Sequence, residues 1–392
     1  MGRRASAVRE VATHDIPTGR TVDGRTPAVR PGPDVPVLAG SVTITPVVTA
    51  EFRGSSVIVP AWDVQIEASA DRAVQTRVTF SAPHEYVPAS WDDPLACFGQ
   101  RVHIAARIAS PRGEWDVQVG VYQIESWEES DDGHVAVEAL DLTQRLEKNE
   151  MLWPSSPPEG ATLASEVQRL AGEPSDGGVQ TAVARNFSIH RLFEWGTGRL
   201  DAIQKLVEAF GMVYRVTPDG ILHVTPPTPT DAAVATYTGR DLLISANRRS
   251  RARQPNRWMV TGSPKTDGSE RDEGGEKEEI KWAVVVSNWT DPRYRADTYG
   301  VVTSSNTMDI AESEDQIREA AETYMAASLA ASEARALQIV TDPRLELGDV
   351  VDVRVTHLNS SEALRGRVTG YSMTLDDPAQ VMRVDIEIQD GR

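Results

Sequence analysis

From Ser41 to Asp141 apolar and polar residues alternate in short runs: SVTITPVV, VIVPAWDVQI, RAVQTRVTF, RVHIAARI, WDVQVGVYQI and HVAVEALD, each closed by Gly, Pro, Asp or Ser. A period of two places successive side chains on opposite faces of a strand, so the stretch predicts short strands with one face in a core. Several such strands at this spacing predict a sandwich or a barrel.

The period changes after MLWPSSPPEG at 151–160, where three prolines and a glycine end the alternation. ATLASEVQRLAG places Leu163, Val167 and Leu170 on one helical face, and GRLDAIQKLVEAFG does the same with Leu200, Ile203, Leu206, Val207 and Phe210 before Gly211 as a C-cap. MVYRVTPDGILHVTP then predicts a hairpin turning at Thr217-Pro218-Asp219-Gly220. Past PPTPTD at 226–231, the polar stretch 263–279 predicts a mobile acidic loop. Ser313 and Gln316 form a capping-box pattern at the head of a long helix over 313–335, after which strands return.

These patterns predict a mainly β chain with an α+β insert. The expected units are an N-terminal arm at 1–38, rich in Arg, Pro and Gly; a first β-barrel at 39–150; a smaller α+β unit at 151–236; and a second β-barrel at 237–392.

The two β regions resemble each other. A shift of 249 positions lays DPLACFGQRVHI, from Asp93, over DPRLELGDVVDV, from Asp342. Without a gap, Asp93/Asp342, Pro94/Pro343, Gly99/Gly348, Val102/Val351, Val119/Val368, Tyr122/Tyr371, Val135/Val384, Glu138/Glu387 and Asp141/Asp390 coincide. About three identities would be expected from average residue usage. Each copy reads as an Asp-Pro turn, a Gly break and three strands, so two related β-modules are expected in one chain.

The carboxylates of the second copy, Asp342, Glu346, Asp349 and Asp352, with Asp390, are the best candidates for acid chemistry. Asp93 and Asp342 read instead as turn formers, and Asp349 and Asp352, alternating with valines, as a solvated strand face. Gln100 and His103 stand at the places of Asp349 and Asp352 in the first copy, so the acids are not part of the repeated pattern.

Composition narrows the remaining chemistry. A net charge of −18 repels phosphate backbones and anionic lipid, so no stable nucleic-acid binding is expected. The longest apolar runs, such as AVVVS at 283–287, are too short to span a bilayer, and the N-terminus has no apolar segment of a signal peptide. Cys97 is the single cysteine, which excludes an intrachain disulfide, and it reads as small core filler. His14, His84, His103, His134, His190, His223 and His357 show no metal-ligand spacing. Gly196-Thr197-Gly198 lacks the rest of a phosphate-binding loop and reads as a helix entry.

Arg248, Arg249, Arg251, Arg253 and Arg257 form the one basic cluster, suited either to grip an acidic neighbour or to keep a strand edge soluble. The nine tryptophans (Trp62, Trp91, Trp115, Trp127, Trp153, Trp195, Trp258, Trp282, Trp289) are dispersed, which favours core or subunit contacts over a sugar site. No catalytic, cofactor-binding or metal-binding residue is expected.

AWDVQIEASADRAVQTRVTFSAP with DDPLACFGQRVHI and VGVYQIESWE resembles the first barrel of the minor tail proteins of tailed phages. GRLDAIQKLVEAFGMVYRVTPDGILHVTP is similar to their middle unit, and NRWMVTGS with LELGDVVDVRV and GYSMTLD to the closing barrel of the tail-hub, tail-associated-lysin-like, proteins. The resemblance implies two β-barrel hub domains flanking a lateral domain, without a lytic C-terminal domain. It also implies a homotrimer at the tail tip in which six like modules adapt a sixfold tube to a threefold tip. Partners would be a distal tail or tail-tube protein, the tape-measure protein, and tail fibre or receptor-binding proteins. Assembly would take place in the host cytoplasm. The alternatives are a tail-tip cell-wall hydrolase using the acids at 342–352, or a carbohydrate-binding adhesin using exposed tryptophans.

Overall fold

The computed structural model describes residues 33–38, 40–131, 133–189, 194–226, 232–239, 242–249, 254–262, 282–308, 314–330, 334–356 and 361–388. The arm before residue 33, the acidic stretch 263–279, Ser313 and Asp390 therefore lie outside the described residues.

Helix α1 (Val35–Leu38) precedes the alternating runs, which become strands β1 (Thr43–Phe52), β2 (Ser55–Val59), β3 (Trp62–Ser69), β4 (Thr76–Pro83), β5 (Arg101–Ser110), β6 (Gly113–Glu129) and β7 (His134–Asp141). Arg53 and Gly54 join β1 to β2, both at positive φ, the backbone of a two-residue hairpin turn. The strands lie in the order β3-β4-β7-β6-β5-β1-β2, every pair antiparallel. Val64, Ile66, Val78, Ile104, Ile108 and Val135 face one core, as the alternation requires.

The middle segment forms α2 (Gln144–Lys148), α3 (Leu163–Ala171), β8 (Thr181–Val183), α4 (Arg199–Ala209), β9 (Val213–Val216) and β10 (Leu222–Thr225). Thr162 and Ser165 close a capping box at the start of α3, satisfying amides that the helix leaves open. The apolar faces of α3 and α4 meet in their own core with Leu222 and Val224. The expected turn joins β9 to β10, with Gly220 at φ 81° and its amide donating to the Thr217 carbonyl.

The rest of the chain supplies β11 (Ala235–Thr238), β12 (Leu243–Arg249), β13 (Arg257–Gly262), β14 (Trp282–Ser287), α5 (Ala296–Tyr299), β15 (Thr303–Met308), α6 (Glu314–Ala330), β16 (Ala334–Val340), β17 (Val350–Thr356), β18 (Ser361–Thr374) and β19 (Val381–Ile388). Helix α6 is shorter than 313–335: it ends at Ala330, and Ala334 already pairs with Glu387 in the sheet. Ile317 and Ala321 of α6 cover Val260 and Val284 of the small sheet β14-β13-β15.

In the second β region the order is β12-β16-β19-β18-β17-β11. Strand for strand this repeats β3-β4-β7-β6-β5-β1, with the α6 unit inserted where the first region has its short β3–β4 connection. One pair departs from the repeat: β1 runs antiparallel to β5, whereas β11 runs parallel to β17.

The opening turn also recurs. Ala96 N donates to Asp93 O (3.1 Å) and Leu345 N to Asp342 O (3.2 Å), Gly99 and Gly348 both take positive φ, and Ile124 N bonds Gln100 O as Val368 N bonds Asp349 O. These bonds correct the ungapped alignment beyond the first strand of each copy. Ile124 corresponds to Val368 and Tyr122 to Gly366, while the ladder partners place Ala139 opposite the position of Ile386. The identities from Val119/Val368 onward are therefore coincidences of alternating sequence. Each middle strand also has a bulge at the same place, beside Glu125 in β6 and Thr369 in β18.

The two regions share one antiparallel sheet because β18 pairs with β3, from Gly370↔Ser69 to Thr374↔Gln65. Asp376 fastens this junction by accepting from Asp63 N (2.7 Å) and Val64 N (3.2 Å). The two closed barrels expected from the sequence are not found: among the described residues the sheet stays open, with β12 and β2 at the ends of its main path.

Candidate functional site

Most of the acids at 342–352 do not face solvent as expected. Asp342, Glu346 and Asp349 are buried, and Asp352 alone sits on the outer face, paired with Arg365 at 2.8 Å. Asp342 accepts from Arg344 Nε (2.8 Å) and Nη2 (2.7 Å) and from the Tyr237 hydroxyl (2.9 Å). Asp349 accepts from Glu346 N (2.8 Å), and Arg215 reaches both Glu346 (3.5 Å) and Asp349 (3.7 Å). Burial beside Asp342 raises the Tyr237 hydroxyl well above its ordinary pKa.

Each of these buried charges meets a cation or a donor, so the cluster is a structural ion-pair network. Its Arg344 also donates to the Pro33 carbonyl and ties residue 33 to the second turn. In the first copy neutral Gln100 does the corresponding work, accepting from Phe98 N (2.8 Å) and donating to Trp91 O (2.8 Å) and Asp93 O (3.0 Å).

Where the two β regions meet the middle segment, Tyr122, Asp141, Thr217, Glu346 and Tyr371 line a cavity of about 20 Å³. That is far below the several hundred Å³ of a ligand pocket. Asp141 accepts from Thr76 N (2.7 Å) and Thr143 N (2.9 Å) and from both threonine hydroxyls, yet burial lifts its carboxyl above the ordinary value.

The other sequence candidates stay apart. Cys97 is exposed and is not core filler; Leu95 and Ala96 before it are buried instead. His103 contacts Glu51 (2.6 Å), His84 contacts Glu129 (3.3 Å), His134 stacks edge-on against Trp62, and His223 lies in β10. His14, His190 and His357 lie outside the described residues. No group of three His, Cys, Asp or Glu among the described residues could hold a metal ion. Gly198 is the N-cap of α4, and no described helix is long and apolar enough to cross a membrane.

Sequence reasoning missed Glu166. Fully buried, it accepts from Trp195 Nε1 (2.6 Å) and from Arg169 through two bonds (2.7 and 2.8 Å). The Glu-to-Arg spacing of three on α3 was the available signal.

Three surface features remain. Leu152 and Trp153 stand 86 % and 79 % exposed on a loop pinned by Met151 N to Thr197 O (2.7 Å) and Ser155 N to Trp195 O (3.1 Å). A groove of about 720 Å³ is lined by Phe52, Trp91 and Phe98 with Arg53, Arg101 and Arg145. Burial, and then Arg101 beside it, hold the Arg145 guanidinium below its ordinary pKa. The third feature is a set of open strand edges. Strand β12 pairs only with β16 and β2 only with β1 among the described residues, and the C-terminal half of β6 pairs with β7 alone.

No protein-family model matches the chain, and no curated protein matches it. Solved structures do. The tail protein of Neisseria meningitidis MC58 aligns with a TM-score of 0.58 at 13 % identity, over 88 % of this chain and 97 % of that one. The 43 kDa tail protein of prophage MuSo2 from Shewanella oneidensis gives 0.56 at 14 % identity, over 87 % and 98 %. Prophage tail protein gp18 from Listeria monocytogenes EGD-e gives 0.53 at 10 % identity, over 89 % and 96 %. The chain has the fold of prophage tail proteins. The likeness runs over nearly the whole of each relative, so it includes both β regions and the segment between them.

Proposed function

We propose that the chain is a structural, non-enzymatic protein of a bacteriophage tail, a hub at the tail tip. Three copies, each contributing two like β-modules, would form a ring of six similar units that adapts a sixfold tube to a threefold tip. In this reading the hub modules are 39–150 and 237–392, and the lateral unit is 151–236. The observation that carries it is the strand order repeated within one sheet; the fold-level likeness to prophage tail proteins supports the tail location.

The distal tail or tube protein would meet one face of the ring, and the tape-measure protein its channel. Fibre or receptor-binding proteins are assigned to outward features such as Leu152 and Trp153, because rigid exposed aromatics make efficient anchors. A net charge of −18 per copy would let DNA pass without adhering.

Burial and pairing of Asp342, Glu346 and Asp349 argue against the hydrolase alternative. Exposed Trp91 and Trp153 keep the adhesin alternative testable. The mass of the purified protein in solution tests the proposal: three copies are expected, and a protein that stays monomeric at every concentration would overturn the ring. Glycan-dependent shifts in Trp fluorescence would favour the adhesin.

A further inference from the structure

The internal junction between the two β regions leaves an unmade counterpart. Strand β18 is longer than its first neighbour on one edge: β17 covers Ser361–Arg367, and β3 covers Gly370–Thr374. Its equivalent, β6, is covered by β5 up to Gln123, and beyond that no described strand pairs with the same edge. Burial records the difference. Gly370, Tyr371 and Met373 are buried under β3, whereas at the corresponding positions Ser126 and Glu129 are exposed and Trp127 is half-buried.

The other half of the missing junction is also present. Strand β12 corresponds to β3, and each begins with a one-residue register shift, at Trp62/Gln65 and at Leu243/Ser245. Where β3 lies between β4 and β18, β12 pairs only with β16 among the described residues. Exposed edges left without protection tend to recruit another strand.

We infer that β6 of one copy pairs antiparallel with β12 of the next copy, repeating between chains the β18–β3 junction made within each chain. This rests on the ring reading and names its interface. Transferring the internal register gives the pairs. Ser372↔Glu67 becomes Glu128 opposite Arg249, Met373↔Ile66 becomes Glu129 opposite Arg248, and Thr374↔Gln65 becomes Ser130 opposite Asn247.

Fixed by backbone ladders alone, this register sets two adjacent glutamates against two arginines of the chain's one basic cluster. Opposite charges directly across a ladder favour that register. The contact is heterologous, since the donor edge and the acceptor edge differ, so it propagates from copy to copy until a ring closes. Of the two roles open to the arginine cluster, it assigns the grip on an acidic neighbour.

The test compares the full-length chain with three variants by solution mass. Glu128→Arg with Glu129→Arg, and separately Arg248→Glu with Arg249→Glu, should each weaken self-association at least about tenfold. The combined fourfold swap should restore it. If the one-sided variants keep the three-copy mass, the junction is wrong while the ring stands; if the wild type never assembles, the ring fails first and this junction with it.

Register is read separately in a Cys97→Ser background. Glu129→Cys with Arg248→Cys should give disulfide-linked oligomers, because directly opposed residues come within bonding range. Glu129→Cys with Asn247→Cys should not, because neighbouring residues point to opposite faces. Equal cross-linking by both pairs, or by neither, would overturn the assignment.

Discussion

The two β regions of this chain run the same strand order through different chemistry. At the opening turn the first region uses a neutral Gln100 and an apolar Leu95, while the second uses Asp349 and, in the place of Leu95, Arg344 bound to a buried Asp342. At the end of the middle strand the second region buries Tyr371 and Met373 under β3, while the first leaves glutamates in the open. The contrast teaches that a β-module keeps its ladder and its core while its turns and edges are free to take up separate tasks.

Breaking the turns should give the largest effects. Arg344→Ala strips Asp342 of its two-bonded partner and should cost about 3–5 kcal/mol in urea unfolding, because a buried carboxylate loses its cation. Leu95→Ala at the matching site should cost about 2–5 kcal/mol by a different route, an apolar cavity. The two are told apart by salt and pH, to which the cavity variant should be indifferent.

The middle strands sharpen the comparison next. Met373→Ala should cost about 2–5 kcal/mol, since the side chain is buried at the internal junction. Glu129→Ala at the corresponding exposed site should change the stability of the isolated chain by less than about 0.5 kcal/mol. Similar losses at both sites would mean that β6 is already covered within one copy.

A pH-dependent contrast concerns the last strand, where Asp141 stands in the place of apolar Ile388. Burial raises the Asp141 carboxyl above its ordinary value, so between the unfolded and the folded pKa the folded chain holds a proton there that the unfolded chain has released. Its favourable contribution is complete below the unfolded pKa and is lost as pH rises through the raised value. Asp141→Asn should cost about 1–3 kcal/mol, since one amide would face donors from Thr76 or Thr143. Measured by urea midpoints, the wild type's advantage over this variant should grow as pH falls from about 7 to about 4.

Much of the fold was legible because it is written in local periods. Alternation marked β3 to β7, the apolar spacing at Leu163 and Leu200 marked α3 and α4, and Thr217 to Gly220 marked the β9–β10 turn. The Asp93 and Asp342 turns were legible through Pro and Gly at fixed offsets. The register beyond them was not, because strand sequences with a period of two match one another under many shifts. Tyr122 and Tyr371 lined up in sequence, yet the ladders place Tyr122 with Gly366.

The buried acids were misjudged for a related reason. Asp349 before a valine-rich strand looks solvated until Arg215 and Tyr237, both more than a hundred residues away, bring a cation and a hydroxyl to the cluster. Barrel closure was equally out of reach, since it depends on which edges find partners and not on any one strand.

The rotational symmetry of the assembled particle, seen end-on in electron-microscopy class averages, tests the account most directly. Three chains closing through their two like modules should give a ring of six similar lobes whose true symmetry is threefold. A ring in which the two β regions lie at different radii, or a particle with no ring, would contradict it.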